Sequence, residues 1–254
     1  MPTLFVNHIS KTYKPPACAG MAGRPASAGR ETSVLSKIVF EVKPREFVSI
    51  IGRNASGKST LLKIIAGVVE PTSGTFTVDG NVAYMPQDHT LLPWRTVEEN
   101  LLLPSDIQNI SRGATRARIK SLLAEFGLDQ YGGSYPSLLS GGTRQKIALL
   151  RTIIQNASII LLDEPFAMID ALTRLESQTW LQAFVQKNQA SALLVTHDMQ
   201  EAIFLSDTIY VLDSGTGDIK EKFTVPISRP RLHEHLHAPE ALALEKTLFS
   251  LLVE

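Results

Sequence analysis

Nine residues, GRNASGKST at 52–60, have the types and spacing of a phosphate cradle. Gly52 and Gly57 let the backbone wrap close to an anion. The N–H groups of Arg53, Asn54, Ala55 and Ser56 can then point at phosphate oxygens, and Lys58 reaches the terminal phosphates. Ser59 offers a hydroxyl to Mg²⁺, and Thr60 follows it into the next element. Glycine, four residues, then Gly-Lys-Ser is the P-loop pattern.

Such a loop needs an acid for the metal. SIILLDEP supplies one: the apolar run Ile159–Leu162 reads as a buried strand ending in Asp163 and Glu164. Asp163 at that strand end is suited to Mg²⁺, directly or through water, and Glu164 to polarising an attacking water. A second anion seat stands at Ser140, Gly141 and Gly142, in front of an apolar-periodic run with the composition of a helix. Bare N–H groups at a positive helix end bind anions. One chain thus carries two phosphate seats.

The elements that must position these groups alternate. Strand signals lie at 3–9, 37–42 and 46–50, the last running straight into the glycine loop, and TLLKIIAGV after it has helical periodicity. PTSG at 71–74 reads as a turn, and 75–85 as a hairpin around Asp79–Gly80. From about Thr96 to Asn156 the texture is helical. Strand and helix then alternate through 158–162, 171–187, 191–196, 199–206 and 208–213, which predicts a mainly parallel sheet flanked by helices. Residues 241–253 form a short amphipathic C-terminal helix. Residues 15–33, mostly Pro, Ala, Gly and Ser, read as a mobile loop.

Bulk properties narrow the partners. The 254 residues carry 25 Lys plus Arg against 25 Asp plus Glu, and this zero balance counts against a nucleic-acid binder. The single cysteine, Cys18, cannot form an internal disulfide, which suits a reducing compartment. MPTLFVNHISKTY lacks the charged start and apolar core of a signal peptide, and no window approaches the roughly 20 apolar residues of a membrane span. Work at a membrane would be peripheral.

GRNASGKST, Gln87 in YMPQDHTLLPW, LSGGTRQ, ILLDEP, Asp170 in AMIDALTR and His197 in VTHDMQEA occur in that order. The chain resembles the ATP-binding subunit of ABC transporters from end to end. QDHTLLPW, DALTR, THDMQEAIFLSD and SRPR look like the nitrate/sulfonate/taurine branch of importer ATPases. The resemblance implies an α/β P-loop NTPase (ABC ATPase) fold with a RecA-like core, an N-terminal antiparallel β-subdomain and an inserted α-helical subdomain. The whole chain, 1–254, would be a single ABC ATP-binding domain. Within it, 1–87 and 157–254 would make the nucleotide-binding core and β-subdomain, and 88–156 the helical subdomain with LSGG.

The roles it implies follow by position. Two copies pair head to tail, and Ser140, Gly141 and Gly142 of each hold the γ-phosphate of ATP on the other's P-loop. Tyr13 matches the aromatic that stacks on adenine, and Gln87 the residue contacting Mg²⁺ or the attacking water. Asp170 matches the loop acid crossing between subunits, and His197 the switch histidine at the γ-phosphate. TLLPWRTVEEN matches the groove for the membrane subunit's coupling helix, with Trp94 and Leu92 either contacts there or helical-subdomain core.

The implied protein hydrolyses ATP, with Mg²⁺, to energise uptake of a small solute. Its partners are a second copy of itself, integral membrane permease subunits and, indirectly, a periplasmic or extracellular solute-binding protein, with no nucleic acid expected. Its place is peripheral, on the cytoplasmic face of the inner membrane. The alternative is a soluble ABC ATPase acting on nucleic acid or ribosomes, which the modest helical insertion and zero net charge disfavour.

Some positions depart from the pattern. Thr143 follows LSGG where the family has Gln or Met, Met168-Ile169 precede Asp170, and Arg45 replaces a glycine before Glu46. Outside the pattern, RLHEHLH sets His233, His235 and His237 at alternate positions, which on a strand would share a face and suit zinc. A solvated polar segment is the favoured reading of it.

Overall fold

The computed structural model describes residues 1, 3–14, 31–108 and 111–253. Two sheets carry the fold. The smaller is antiparallel, in the order β2 (Thr32–Val42), β1 (Leu4–Tyr13), β4 (Ser73–Val78). The larger has the order β5 (Val82–Met85), β6 (Ile159–Asp163), β7 (Ser191–Thr196), β3 (Phe47–Ile51), β8 (Thr208–Leu212), β9 (Ile219–Thr224), all parallel except β9.

Every residue of β3, β6, β7 and β8 is buried, because both faces of the sheet are covered. Alternation decides which side each residue serves. Phe47, Ile160, Leu162 and Leu194 pack with the helices, while Val48, Ile50, Ile159 and Leu161 pack with α1 (Lys58–Ile65) and the small sheet. The result is the α/β arrangement with an antiparallel N-terminal sheet expected from the chain's resemblance.

The helical insertion comprises α2 (Val97–Gln108), α3 (Arg112–Glu125) and α4 (Gly141–Ile153). Its apolar side chains, among them Leu101, Ile119, Ile147 and Leu150, join the same core as Phe47 and Leu162. The buried carboxamide of Asn100 shapes the preceding bend, donating to the carbonyls of Leu92, Arg95 and Thr96 at 3.1, 3.0 and 2.9 Å. That bend leaves Trp94 69% exposed, so Trp94 is not subdomain core. Beyond the insertion come α5 (Ala171–Lys187), α6 (Met199–Leu205) and α7 (Pro239–Val253). Among the described residues no helix is long and apolar enough to cross a membrane.

Two local expectations are corrected. Residues 75–85 are not a hairpin: β4 belongs to the small sheet, while β5 pairs in parallel with β6. Asn81 decides the switch of sheets, its side-chain oxygen accepting from Ser158 N at 3.0 Å and its carbonyl from Ile159 N at 3.3 Å. Met85 then completes the main core. Of the loop read at 15–33, residues 15–30 lie outside the described residues, and Thr32 and Ser33 begin β2. The RLHEHLH segment, for which a solvated polar stretch is the favoured reading, forms a 3₁₀ turn over His233–His237. The His233 ring stacks on Phe204 at 4.0 Å and shares Nε2 with Thr179 and the Leu175 carbonyl, while His235 Nδ1 accepts from Leu232 N. The three imidazoles do not converge, and among the described residues no group of three His, Cys, Asp or Glu forms a metal cage.

Candidate functional site

Strand register brings the chemistry together. Asp163, the last residue of β6, stands opposite Val195 of β7, and Thr196 of β7 stands opposite Ile51 of β3. The three central strands therefore deliver the glycine loop, the DE pair and the VTHD segment to the same C-terminal edge, where open α/β sheets bind ligands.

The loop is shaped by backbone that side chains resist. Gly57 has φ 98°, and a Cβ there would lie 2.8 Å from the Val34 carbonyl and from Leu35. Only glycine fits. Lys58 opens α1, and its Nζ donates to the carbonyls of Gly52 and Arg53 at 2.8 and 2.9 Å. Burial lowers its pKa, with the charges of Glu164 and Asp163 pulling the other way. A cleft of about 370 Å³ opens in front, lined by Asn54, Ala55, Ser56, Gly57, Lys58, Ser59 and Thr60 from the loop and by Gln87, Glu164 and His197 from across it. Val34 completes the wall, a residue that carries no motif.

Asp163 sits behind this cleft, 1% exposed. Ser59 Oγ donates to its Oδ1 at 3.0 Å, and its buried Oδ2 has no partner among the described residues. Burial pushes the carboxyl up to about 6, against the lowering pull of the Ser59 hydroxyl. A buried carboxylate with a free oxygen beside a serine hydroxyl is an all-oxygen donor set that fits a hard cation such as Mg²⁺. Phosphate oxygens and water would supply the rest.

Glu164 turns out of the strand with φ 48° while its N–H still donates to the Val195 carbonyl at 2.9 Å. That turn separates it from Asp163 and aims it at the cleft. His197 Nδ1 lies 3.1 Å from Glu164 Oε1. An acid held by an imidazole next to a phosphate cradle can accept a proton from water.

The remaining candidates lie elsewhere. Ser140 caps α4 by accepting from Thr143 N at 3.1 Å, and Gly141 and Gly142 form its first turn; none of the three lines the cleft. Asp170 caps α5, accepting from Thr173 N at 3.1 Å, a bond that holds its pKa below the usual range. Tyr13 ends β1, 43% exposed with Lys11 Nζ 5.0 Å above its ring, and is also outside the cleft wall. Arg53 borders a neighbouring crevice with Asp213 and Leu251.

Sequence reading missed how α4 is wired to the cleft. Gln145 Nε2 donates to the Glu164 carbonyl at 3.2 Å, and Arg151 donates to the carbonyls of His89 and Thr90, just beyond Gln87. A buried Gln on an otherwise amphipathic helix was the available signal. Also unforeseen was the buried Arg231 of SRPR, which donates to the carbonyls of Ile203, Phe204 and Ser206 and so caps α6.

With this geometry in place, comparison with known proteins is decisive. The family model described as ABC transporter matches residues 35–167. The chain belongs to the ABC transporter family. Among relatives, an aliphatic sulfonates import ATP-binding protein, SsuB of Delftia acidovorans, is 39% identical over 217 residues, covering 85% of this chain and 86% of that protein. The formylaminopyrimidine import ATP-binding protein ThiZ of Halalkalibacterium halodurans is 36% identical, covering 87% of this chain and 90% of that one. Among solved structures, the ATP-binding cassette MJ0796 in a dimeric post-hydrolysis state bound to ADP and Pi superimposes with a TM-score of 0.76. It is 25% identical, over 89% of this chain and all of that one. This ABC protein binds and hydrolyses ATP, and it falls in the sulfonate/nitrate/taurine branch.

Proposed function

We propose that the chain is the motor subunit of an importer, and that its catalytic pocket is completed by a second copy. The observation that carries this is the separation of two anion seats. The cleft at Gly52–Thr60 is walled by Gln87, Glu164 and His197, while Ser140, Gly141 and Gly142 form a capped helix start outside it. A head-to-tail pair would bring the seat of each chain over the triphosphate held by the other, with Asp170 crossing between them.

Within that pocket Lys58 binds the terminal phosphates and Tyr13 meets the adenine. Ser59, Asp163 and Gln87 would hold Mg²⁺, which when bound offsets charge on the phosphate oxygens. Glu164 takes a proton from the water as its oxygen bonds to the γ-phosphorus and the bond to ADP breaks. His197 holds Glu164 and faces the γ-phosphate.

The helical subdomain, 88–156, carries the motion to permease subunits at the groove around Leu92 and Trp94, and the working place is the cytoplasmic face of the membrane. The solute is a small molecule of the sulfonate, nitrate or taurine type, a reading supported by the import names of the relatives. The test is co-expression with the permease and binding protein of its gene neighbourhood. ATP turnover in vesicles should rise with a loaded binding protein for one such solute. Turnover indifferent to every permease and solute offered would sink the importer reading.

A further inference from the structure

Behind the Glu164–His197 pair lies a second cavity of about 60 Å³, bordered by both and by Arg174, Thr196, Asp198 and Glu201. Glu201 is the unusual member. An acid in the first turn of a helix is ordinarily solvated, yet this one is 6% exposed. Its Oε2 accepts from Thr196 Oγ1 at 2.6 Å, and the same hydroxyl accepts from Asp198 N at 3.0 Å. Asp198 Oδ1 in turn accepts from Glu201 N at 3.1 Å. Thr196 and Asp198 flank His197, so the closed set of bonds fixes the backbone on both sides of the imidazole.

The other carboxyl oxygen, Oε1, is buried and has no partner among the described residues, and the same holds for Arg174 Nε. Both residues border the cavity, which has room for a water that would serve both. Arg174 also donates through Nη2 to the Ile169 carbonyl at 3.1 Å, next to Asp170, and its Nη1 lies 3.8 Å from Asp198 Oδ2.

We propose that Glu201 is a positioning residue for ATP hydrolysis: through Thr196 and Asp198 it holds His197 against Glu164, and through a water shared with Arg174 it ties that loop to the segment bearing Asp170. This rests on the roles given above to His197 and Glu164. Glu201 works by hydrogen bonding rather than by charge. Burial pushes its carboxyl up to about 8, Asp198 and Glu164 pushing the same way and Thr196 and Arg174 opposing. A neutral carboxyl and a glutamine carboxamide have nearly the same shape, and each offers an acceptor to Thr196 and a donor to the cavity.

The experiment compares steady-state ATP turnover and equilibrium ATP binding in the full chain and in Glu201→Gln, Glu201→Ala, Thr196→Val, His197→Ala and the His197→Ala/Glu201→Ala double variant. Glu201→Gln should keep kcat within about threefold. Glu201→Ala and Thr196→Val should lose roughly 10- to 100-fold in kcat with ATP affinity within about twofold, the scale of a displaced catalytic group. The double variant should be no slower than His197→Ala alone, as residues acting as one unit behave. Wild-type kcat in Thr196→Val, or losses that multiply in the double variant, would overturn the proposal. Thr196→Val removes one hydroxyl without changing shape, so it decides the matter even should Glu201→Ala fail to fold. A fully active His197→Ala would bring down the functional reading as well; a slow His197→Ala beside a fast Thr196→Val would remove this inference alone.

Discussion

His197 Nδ1 stands 3.1 Å from Glu164 Oε1, joining the residue that follows β7 to the residue that follows β6. The contact exists because those strands are parallel neighbours in register, Asp163 opposite Val195. It makes Glu164 the carboxylate oriented toward the cleft, whereas Asp163 is turned to Ser59. Glu164→Gln should therefore bind ATP with affinity within about threefold of wild type and lose about 100-fold or more of its turnover. ATP-bound dimers should accumulate on size exclusion. A variant that turns over at the wild-type rate would assign the base elsewhere.

Gly142 approaches the Met168 carbonyl so closely that a Cβ would sit 3.1 Å from it. Alanine would otherwise favour the helix by about 1 kcal/mol. Gly142→Ala should thus leave the melting temperature within about 2 °C while displacing the segment before Asp170, with turnover down about tenfold and binding to the separate chain's P-loop unchanged. Equal loss of ATP binding and turnover would show that the contact serves the cleft itself.

Much of this site was legible from residue order. Burial on both faces leaves β3, β6 and β7 as predominantly apolar runs, interrupted in β3 by Ser49, so the groups at their ends could be located without coordinates. What escaped depends on contacts between segments. Asp79–Gly80 has hairpin composition, but the bonds from Asn81 to Ser158 and Ile159 carry β5 into the other sheet. No periodicity encodes a partner 77 residues away. The burial of Glu201 has no mark in its own segment, because it arises where Thr196 of β7 and Arg174 of α5 meet it. Nor does the spacing of the alternate histidines encode the stacking of His233 on Phe204 within a 3₁₀ turn.

Glu201 also makes stability depend on pH in a definite direction. Its folded pKa, about 8, lies above the unfolded value near 4.5, so the native state holds a proton that the unfolded chain releases. This contribution is complete below the unfolded value and is lost as pH rises through about 8. Glu201→Gln stays neutral throughout. Its melting temperature should match wild type at about pH 5 and exceed it by several °C at about pH 9. A constant offset between the two would mean that the carboxyl is already ionised in the fold.

Trp180 joins the insertion to the core. Its ring meets Phe126 edge-on at 4.5 Å and stacks on Phe184 at 5.1 Å, and Nε1 donates to Glu125 Oε2 at 3.0 Å. Trp180→Ala should cost about 2 kcal/mol and lower the melting temperature by roughly 5 °C, while Trp180→Phe should recover more than half. Calorimetry showing no change would remove this joint from the account.

The sharing of one pocket between two chains is tested most directly by ATP turnover per chain as a function of chain concentration, with light scattering on the same samples. Turnover per chain should fall toward zero as the protein dilutes into monomers and recover as pairs form. A rate per chain that stays constant where scattering finds only monomers would contradict it, because each cleft would then be complete without Ser140, Gly141 and Gly142 of a partner.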